Sequence, residues 1–233
     1  MKHQILIMGL ISGLLGLLGC DNKKADNQSK IDSSKVEMIN PNDILFTTPT
    51  LENALPDFEN SSDTTNLYFH EDNWRQIEFV SKDQKKIIDK EIAKIKDIFD
   101  NFAHKGDTYT AFKKVAVREL ITQPLTLDLT EIKSYLADKN LLVKGLSLDN
   151  NEGQVRNGFS FTANGVEYYG QFDNNKNVKW FCIYSADNYK SLKSSIPSLS
   201  RLLKDKSLYL IDWREMKTLD ENSIKTDFVT DDK

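Results

Sequence analysis

An α+β fold built on an antiparallel sheet is predicted by three features of the sequence. Residues 157–184 form three strand-like runs joined by two turn signals, a three-stranded meander. Residues 81–103 carry one apolar stripe at helical spacing, a long amphipathic helix suited to one face of a sheet. Further strand-like runs at 67–80 and 208–213, with several short helical stretches between, complete the pattern of strands with antiparallel neighbours and helices gathered around them.

In chain order, Leu67-Tyr68-Phe69 and then 74–80 are rich in aromatic and branched residues and read as strand. Ser81, with Gln84 three positions on, is a capping-box signature. In the helix it starts, Ile88, Ile92, Ile95, Phe99 and Phe102 recur at spacings of four and three, and Ile87 and Ile98 widen the stripe. Lys86, Lys90, Lys94, Asp97 and Asp100 take the opposite face, and Gly106 follows as a stop signal. Val115 and Val117 alternate with polar residues, the pattern of a half-buried strand from about Lys114, closed by Pro124. Thr130 can cap a short helix through Leu136, and 141–148 reads as strand.

The clearest local signal is Ala163-Asn164-Gly165 between 157–162 and 166–172, because Asn-Gly supplies the two positive-φ residues of a type I′ hairpin turn. A second turn, Asp173-Asn174-Asn175-Lys176-Asn177, leads into 178–184. There Trp180, Cys182 and Tyr184 project one way and Phe181 and Ile183 the other, as in a strand covered on both faces. Pro197 divides the next helical region into 186–195 and 198–204, and 208–213 is a continuous apolar strand.

The chain opens Met1-Lys2-His3, and 5–18 are apolar or small apart from Ser12. That run is shorter than the roughly 20 residues needed to span a hydrocarbon core, and it fits the apolar region of a secretory leader. It ends Leu17-Leu18-Gly19-Cys20, and polarity then changes at once to Asp21-Asn22-Lys23-Lys24. This segment resembles the lipobox of bacterial lipoproteins, over residues 1–20 only. The resemblance implies cleavage between Gly19 and Cys20, thioether diacylation of Cys20 and N-acylation, often palmitate, of the new terminus. Two or more acyl chains make a stable anchor where one is marginal. Asp21 after the lipidated cysteine, by the rule of enteric-type lipoproteins, favours the periplasmic face of the inner membrane over the outer membrane.

The expected organisation is a cleaved leader at 1–19, a lipidated N-terminus and flexible tether at 20–65, a globular domain at 66–219 and a charged tail at 220–233. The tether is rich in Asn, Asp, Ser, Thr and Lys, with Pro41, Pro49 and Pro56, and as a coil reaches roughly 35–40 Å. Its apolar clusters (residues 44–46, then Leu51, Leu55 and Phe58) are candidates for docking on the domain. The net charge of −4 becomes one unit more negative when the leader with Lys2 is removed, and no basic block argues for nucleic acid. With Cys20 acylated, Cys182 is the sole remaining thiol, so no intrachain disulfide forms, and its apolar surroundings mark it as a buried hydrophobe.

No catalytic or metal site is nominated, and no cofactor is implied. His70-Glu71-Asp72-Asn73-Trp74 begins like a metalloprotease helix motif but has Trp where the second zinc ligand must stand. Asp173-x-Asn175-x-Asn177 begins like a calcium loop but has Val178 and Tyr184 where Gly and Glu are required. No nucleophile elbow, Walker loop or dinucleotide fingerprint occurs. Aromatic residues remain: Trp74, Trp180 and Trp213 fall in predicted strands, and one face of the meander, carrying Tyr168 or Tyr169 with Trp180, is the candidate binding surface. The expectation is a non-enzymatic, membrane-anchored module that binds a protein, one version being an immunity-type lipoprotein whose acidic domain neutralises a basic antibacterial toxin. The alternatives are a small-molecule or lipid-binding lipoprotein, which needs a lined cavity, and an envelope hydrolase, which needs His70 or His104 converging with a nucleophile.

Overall fold

In the computed structural model, which describes residues 45–53, 56–60, 66–106, 110–119, 121, 124–125, 127–136, 141–148, 153–184 and 190–227, the chain folds as α+β. In the first half lie β1 (Thr50–Glu52), β2 (Phe58–Glu59), β3 (Leu67–Phe69), β4 (Ile77–Ser81), helix α1 (Lys85–Phe102), β5 (Ala103–Lys105), β6 (Thr110–Phe112) and β7 (Ala116–Arg118). Next come α2 (Leu129–Leu136), β8 (Leu146–Leu148), β9 (Gln154–Val155), β10 (Gly158–Ala163), β11 (Val166–Phe172) and β12 (Val178–Tyr184). The chain closes with α3 (Ile196–Asp205), β13 (Leu208–Asp212), β14 (Lys217–Leu219) and α4 (Ser223–Asp227).

A six-stranded antiparallel sheet, in the order β10-β11-β12-β4-β13-β14, organises the fold. Asn164 and Gly165, at φ 52° and 77°, make the two-residue turn between β10 and β11, both in the left-handed region that the primed hairpin turn demands. Gly170 faces Phe159 across that pair, and a Cβ there would stand 2.6 Å from Phe159 Cζ, so only glycine lets the ring lie over the neighbouring strand. The Asp173 turn is held by its own side chain: Asp173 Oδ1 accepts from the amides of Asn175 at 2.8 Å and Asn177 at 2.9 Å.

Each face of the sheet buries a different core. On one, Ile77 and Phe79 of β4 join Phe159, Phe161, Tyr168, Phe181, Leu208 and Leu210 under α2, α3 and α4. On the other, Val80, Ile211 and Trp213 pack against Ile88, Ile95 and Ile98 of α1, while Trp74, Tyr169, Trp180 and Cys182 form a separate aromatic cluster. Strand alternation sends successive residues of β4 and β12 to opposite faces, so both faces of these central strands are apolar.

Five expectations about local structure change. Ordered packing reaches well ahead of residue 66: β1 pairs parallel with β7, Phe46 bridges Phe112, and Thr50 is fully buried. It also runs past residue 219, because Asp220 Oδ1 accepts from the Ser223 amide at 2.8 Å, capping α4, and Ile224 is buried in the core. The helical region does divide, but ahead of Pro197 and not at it: a 3-10 segment over Lys190–Ser195 gives way to α3, and Pro197 sits in the first turn of α3, where its missing N–H costs nothing. Asp128, not Thr130, caps α2: its carboxylate accepts from the Glu131 amide at 2.7 Å, while Glu131 accepts from the Asp128 amide at 3.2 Å, a reciprocal box. Finally, Val117 is 52% exposed whereas Ala116 and Arg118 are buried, so β7 turns in the opposite phase to its valine pattern.

Candidate functional site

Gly19 and Cys20 lie outside the described residues. Tyr168, Tyr169 and Trp180, expected to present a binding surface, are all buried. The reason is coverage of both sheet faces. Tyr168 stacks between Phe161 and Phe181, with centroids 5.2 and 5.7 Å away. Tyr169 and Trp180 sit under Trp74, and the Tyr169 hydroxyl accepts from the Arg75 amide at 2.7 Å and donates to the Asn73 carbonyl at 3.0 Å. Cys182 is buried beside them; burial first, then the nearby Glu78 carboxylate, push its thiol well above the usual range, so it is not a reactive thiolate.

The chemically unusual feature is a buried charge network between the two apolar clusters on the α1 face. Glu78, on the central strand β4, is paired in register with Cys182 of β12 and Ile211 of β13. Its carboxylate accepts from the Arg75 guanidinium and from Trp213 Nε1, the latter at 3.3 Å. Arg75 Nη1 donates to Glu52 of β1 at 2.7 Å, and the side chains of Arg75, Glu52 and Glu78 are 4–5% exposed. Arg118 of β7 adds a second guanidinium, donating to Thr50 Oγ1 at 3.0 Å and to the Arg75 carbonyl at 3.0 Å, and lying 5.2 Å over the Trp213 ring. Arg75 also adopts φ 48°, an unusual conformation for a side-chain-bearing residue, fixed by its amide bond to Tyr169.

Two guanidiniums against two carboxylates leave the network formally neutral, which is how buried charge is tolerated. It fastens the start of the domain: Thr50 and Glu52 come from β1, Arg75 and Glu78 from the approach to and body of β4, Arg118 from β7. Burial opposes the charge of Arg75, but Glu78 and Glu52 hold its guanidinium above the ordinary value, and burial pushes that of Arg118 down. Burial also pushes the Glu52 carboxyl up to about 7, against the pull of Arg75 and of a hydrogen bond from the Trp74 side chain.

The Glu52 shift predicts a pH effect. A carboxyl that keeps its proton to higher pH when folded makes the native state bind more protons than the unfolded chain between the two values. Stability therefore falls as pH rises from about 4.5 to about 7, by roughly 3 kcal/mol at most. Glu52→Gln removes this slope, so its melting temperature gains on the parent's as pH is raised through that window. Parallel melting curves for the two proteins would refute the assignment.

A second buried carboxylate, Glu91, lies on the apolar face of α1 and is met by Lys94 Nζ at 2.8 Å and the Glu119 amide at 3.4 Å. At the surface, Tyr68, Leu142 and Val143 are exposed by 51%, 69% and 36%. Tyr68 lies in β3, and Leu142 and Val143 precede β8, its parallel partner, where the Leu67 amide donates to the Gly145 carbonyl at 3.1 Å. His104 is exposed, and His70 Nδ1 accepts from the Asp72 amide at 3.2 Å. Thr47 donates to the Asp72 carboxylate, which places the acid between hydroxyl and imidazole. A nucleophile–base relay needs the imidazole in that middle position.

A cavity beside β4, lined by Phe79, Ile121, Leu125 and Trp180 among others, has a volume of about 10 Å³, at the lower limit for one water molecule. Among the described residues no cluster of three or more His, Cys, Asp or Glu is placed to hold a metal, and no helix is long and apolar enough to cross a membrane. The fold and site thus define an α+β domain whose first strand is locked by a buried four-charge network. Comparison with protein-family models, curated proteins and solved structures gives no match.

Proposed function

We propose that the chain is a lipid-anchored envelope protein whose α+β domain binds a protein partner without catalysis, in the manner of an immunity-type inhibitor of an antibacterial toxin. Two features together support the reading: a leader-like segment ending Leu17-Leu18-Gly19-Cys20, and a packed α+β domain among the described residues from Leu45 on. Attachment through Cys20 holds the domain at a bilayer, on the periplasmic face of the inner membrane if Asp21 acts as in enteric-type lipoproteins.

Exposed apolar side chains support the binding part of the reading. With Tyr168, Tyr169 and Trp180 buried, the contact surface moves to the exposed apolar side chains Tyr68 of β3 and Leu142 and Val143 ahead of β8. Aromatic anchors of this kind concentrate binding energy. The acidic balance of the chain, −4 overall, suits a basic partner by electrostatic complementarity.

Affinity capture from envelope extracts tests the proposal. The parent protein is expected to retain one specific partner, and Tyr68→Ala with Leu142→Ala to lose at least about tenfold in affinity while melting like the parent. An equal affinity in the variant, or no specific partner together with unchanged sensitivity of a deletion strain to neighbouring bacteria, contradicts it.

A further inference from the structure

At the start of the described chain, backbone pairing defines one end of the domain. Residues 21–44 lead to Leu45, and Phe46 is bound in both directions to Phe112 of β6, with N···O distances of 2.8 and 2.9 Å. Strands β5 and β6 form a small antiparallel pair there, continuous with the end of α1. This end carries three exposed lysines, Lys105, Lys113 and Lys114.

These lysines are gathered rather than scattered. Lys114 Nζ lies 4.2 Å from the Phe102 ring and Lys105 Nζ 5.9 Å from the Phe99 ring, two rings one helical turn apart on α1. The Lys113 amide donates to the Phe102 carbonyl at 3.1 Å, which keeps the third lysine beside the same turn. None of the three is in an ion pair among the described residues. Four of the five lysines along α1 contrast with them: Lys85 is paired with Asp89, Lys90 with Glu119, Lys94 with Glu91 and Lys96 with Asp100, at 2.7 to 3.2 Å. The nearest helix carboxylates are already engaged, Asp100 by Lys96 and Asp97 by the Asn101 amide group at 2.8 Å. One further acid in the sequence, Asp107, falls in the β5–β6 connection outside the described residues. Leu45, 37% exposed, adds an apolar side chain at the same end.

We infer that the end of the domain formed by Lys105, Lys113 and Lys114 rests on an anionic lipid surface and orients the domain on the membrane. The inference builds on the lipid-anchor reading above, since Leu45, the first described residue after the segment that starts at Cys20, adjoins Phe46, which pairs with Phe112 next to Lys113. An acidic chain is repelled by an anionic bilayer over most of its surface, so a local cluster of unpaired cations decides which side faces the lipid. Each lysine brought to such a surface strengthens the contact about fivefold, and three together about a hundredfold.

The test uses the full mature chain bound to vesicles of phosphatidylcholine, alone or with about one-third phosphatidylglycerol. A water-soluble amine-acylating reagent and mass spectrometry read the labelling of each lysine. Lys105, Lys113 and Lys114 are expected to label at least about fivefold more slowly on the anionic vesicles, with protection lost near 0.5 M salt, while Lys204 on α3 is unchanged. The triple variant Lys105→Glu, Lys113→Glu, Lys114→Glu, with an unaltered far-ultraviolet spectrum, is expected to show no difference between the two lipids. Equal labelling on both vesicles overturns the inference, as does protection that appears only when envelope proteins are added. Flotation with neutral vesicles separates the two readings. If the chain does not float with them, the anchor reading fails, and salt-sensitive flotation with anionic vesicles, present or absent, then supports or overturns the patch.

Discussion

Replacing Arg75 with Met is expected to remove about 3–5 kcal/mol of stability, because it leaves Glu52 and Glu78 buried side by side without their shared cation. The volume of the side chain is nearly preserved, so the loss measures uncompensated charge rather than a cavity. Against a total stability of roughly 5–15 kcal/mol for a domain, this moves the urea midpoint by about a fifth or more. The loss is expected to shrink at acidic pH as the Glu52 carboxyl, pushed up to about 7 by burial, takes up its proton. It is also expected to be largely recovered in Arg75→Met combined with Glu52→Gln and Glu78→Gln, since exchanging a whole buried ion cluster for neutral groups is often nearly neutral. A single-variant loss below about 1 kcal/mol, the range of solvent-screened pairs, would mean that water reaches the network.

Phe181→Ala is expected to cost a similar 3–5 kcal/mol through a different mechanism. Phe181 is fully buried in β12, at the middle of an aromatic group in which Phe79 lies 4.9 Å, Tyr168 5.7 Å and Phe161 6.0 Å from it. These neighbours are held by the backbone pairings of β4, β10 and β11 and cannot collapse into the space. The signature is a lower urea midpoint with an unchanged slope, and a loss relative to the parent that stays the same between pH 5 and 8, unlike that of the Arg75 variant. A loss below 1.5 kcal/mol would show that the sheet relaxes around the site.

These two residues mark where the sequence was readable and where it was not. The two-faced apolar character of 178–184 places Phe181 in a core without any structure, and Asn164-Gly165 fixes the hairpin that pairs it. The helix stripe is equally plain, with one exception that carried its own signal. Glu91 stands three residues after Ile88 and four before Ile95, on the buried face, and a charge at such a position asks for a partner. Glu78 is similar, set between Ile77 and Phe79 in a run where both faces are apolar. Arg75, Arg118 and Glu52 gave no such cue. Each sits where a solvated charge is the ordinary interpretation, and the partners are brought together only by the parallel pairing of β1 with β7 and by the path of the chain into β4. That pairing also explains the error at 45–60. Short polar segments with prolines bury little of their own surface, so their order comes from a sheet edge and a buried ion pair contributed by distant residues. The valines of β7 misled for the same reason, since burial of Arg118 against Thr50 and Trp213 outweighs the placement of Val117. Tyr168, Tyr169 and Trp180 have aromatic character suited equally to a core or an interface, and the number of covered sheet faces decides between them.

The intact mass of the protein extracted from cell membranes tests the central claim most directly. The account predicts a chain that begins at Cys20 and carries the added mass of a thioether-linked diacylglyceryl group, with or without a further acyl chain on the new amine. A membrane-derived chain that still begins at Met1, or one cleaved in the same region with an unmodified Cys20, contradicts it.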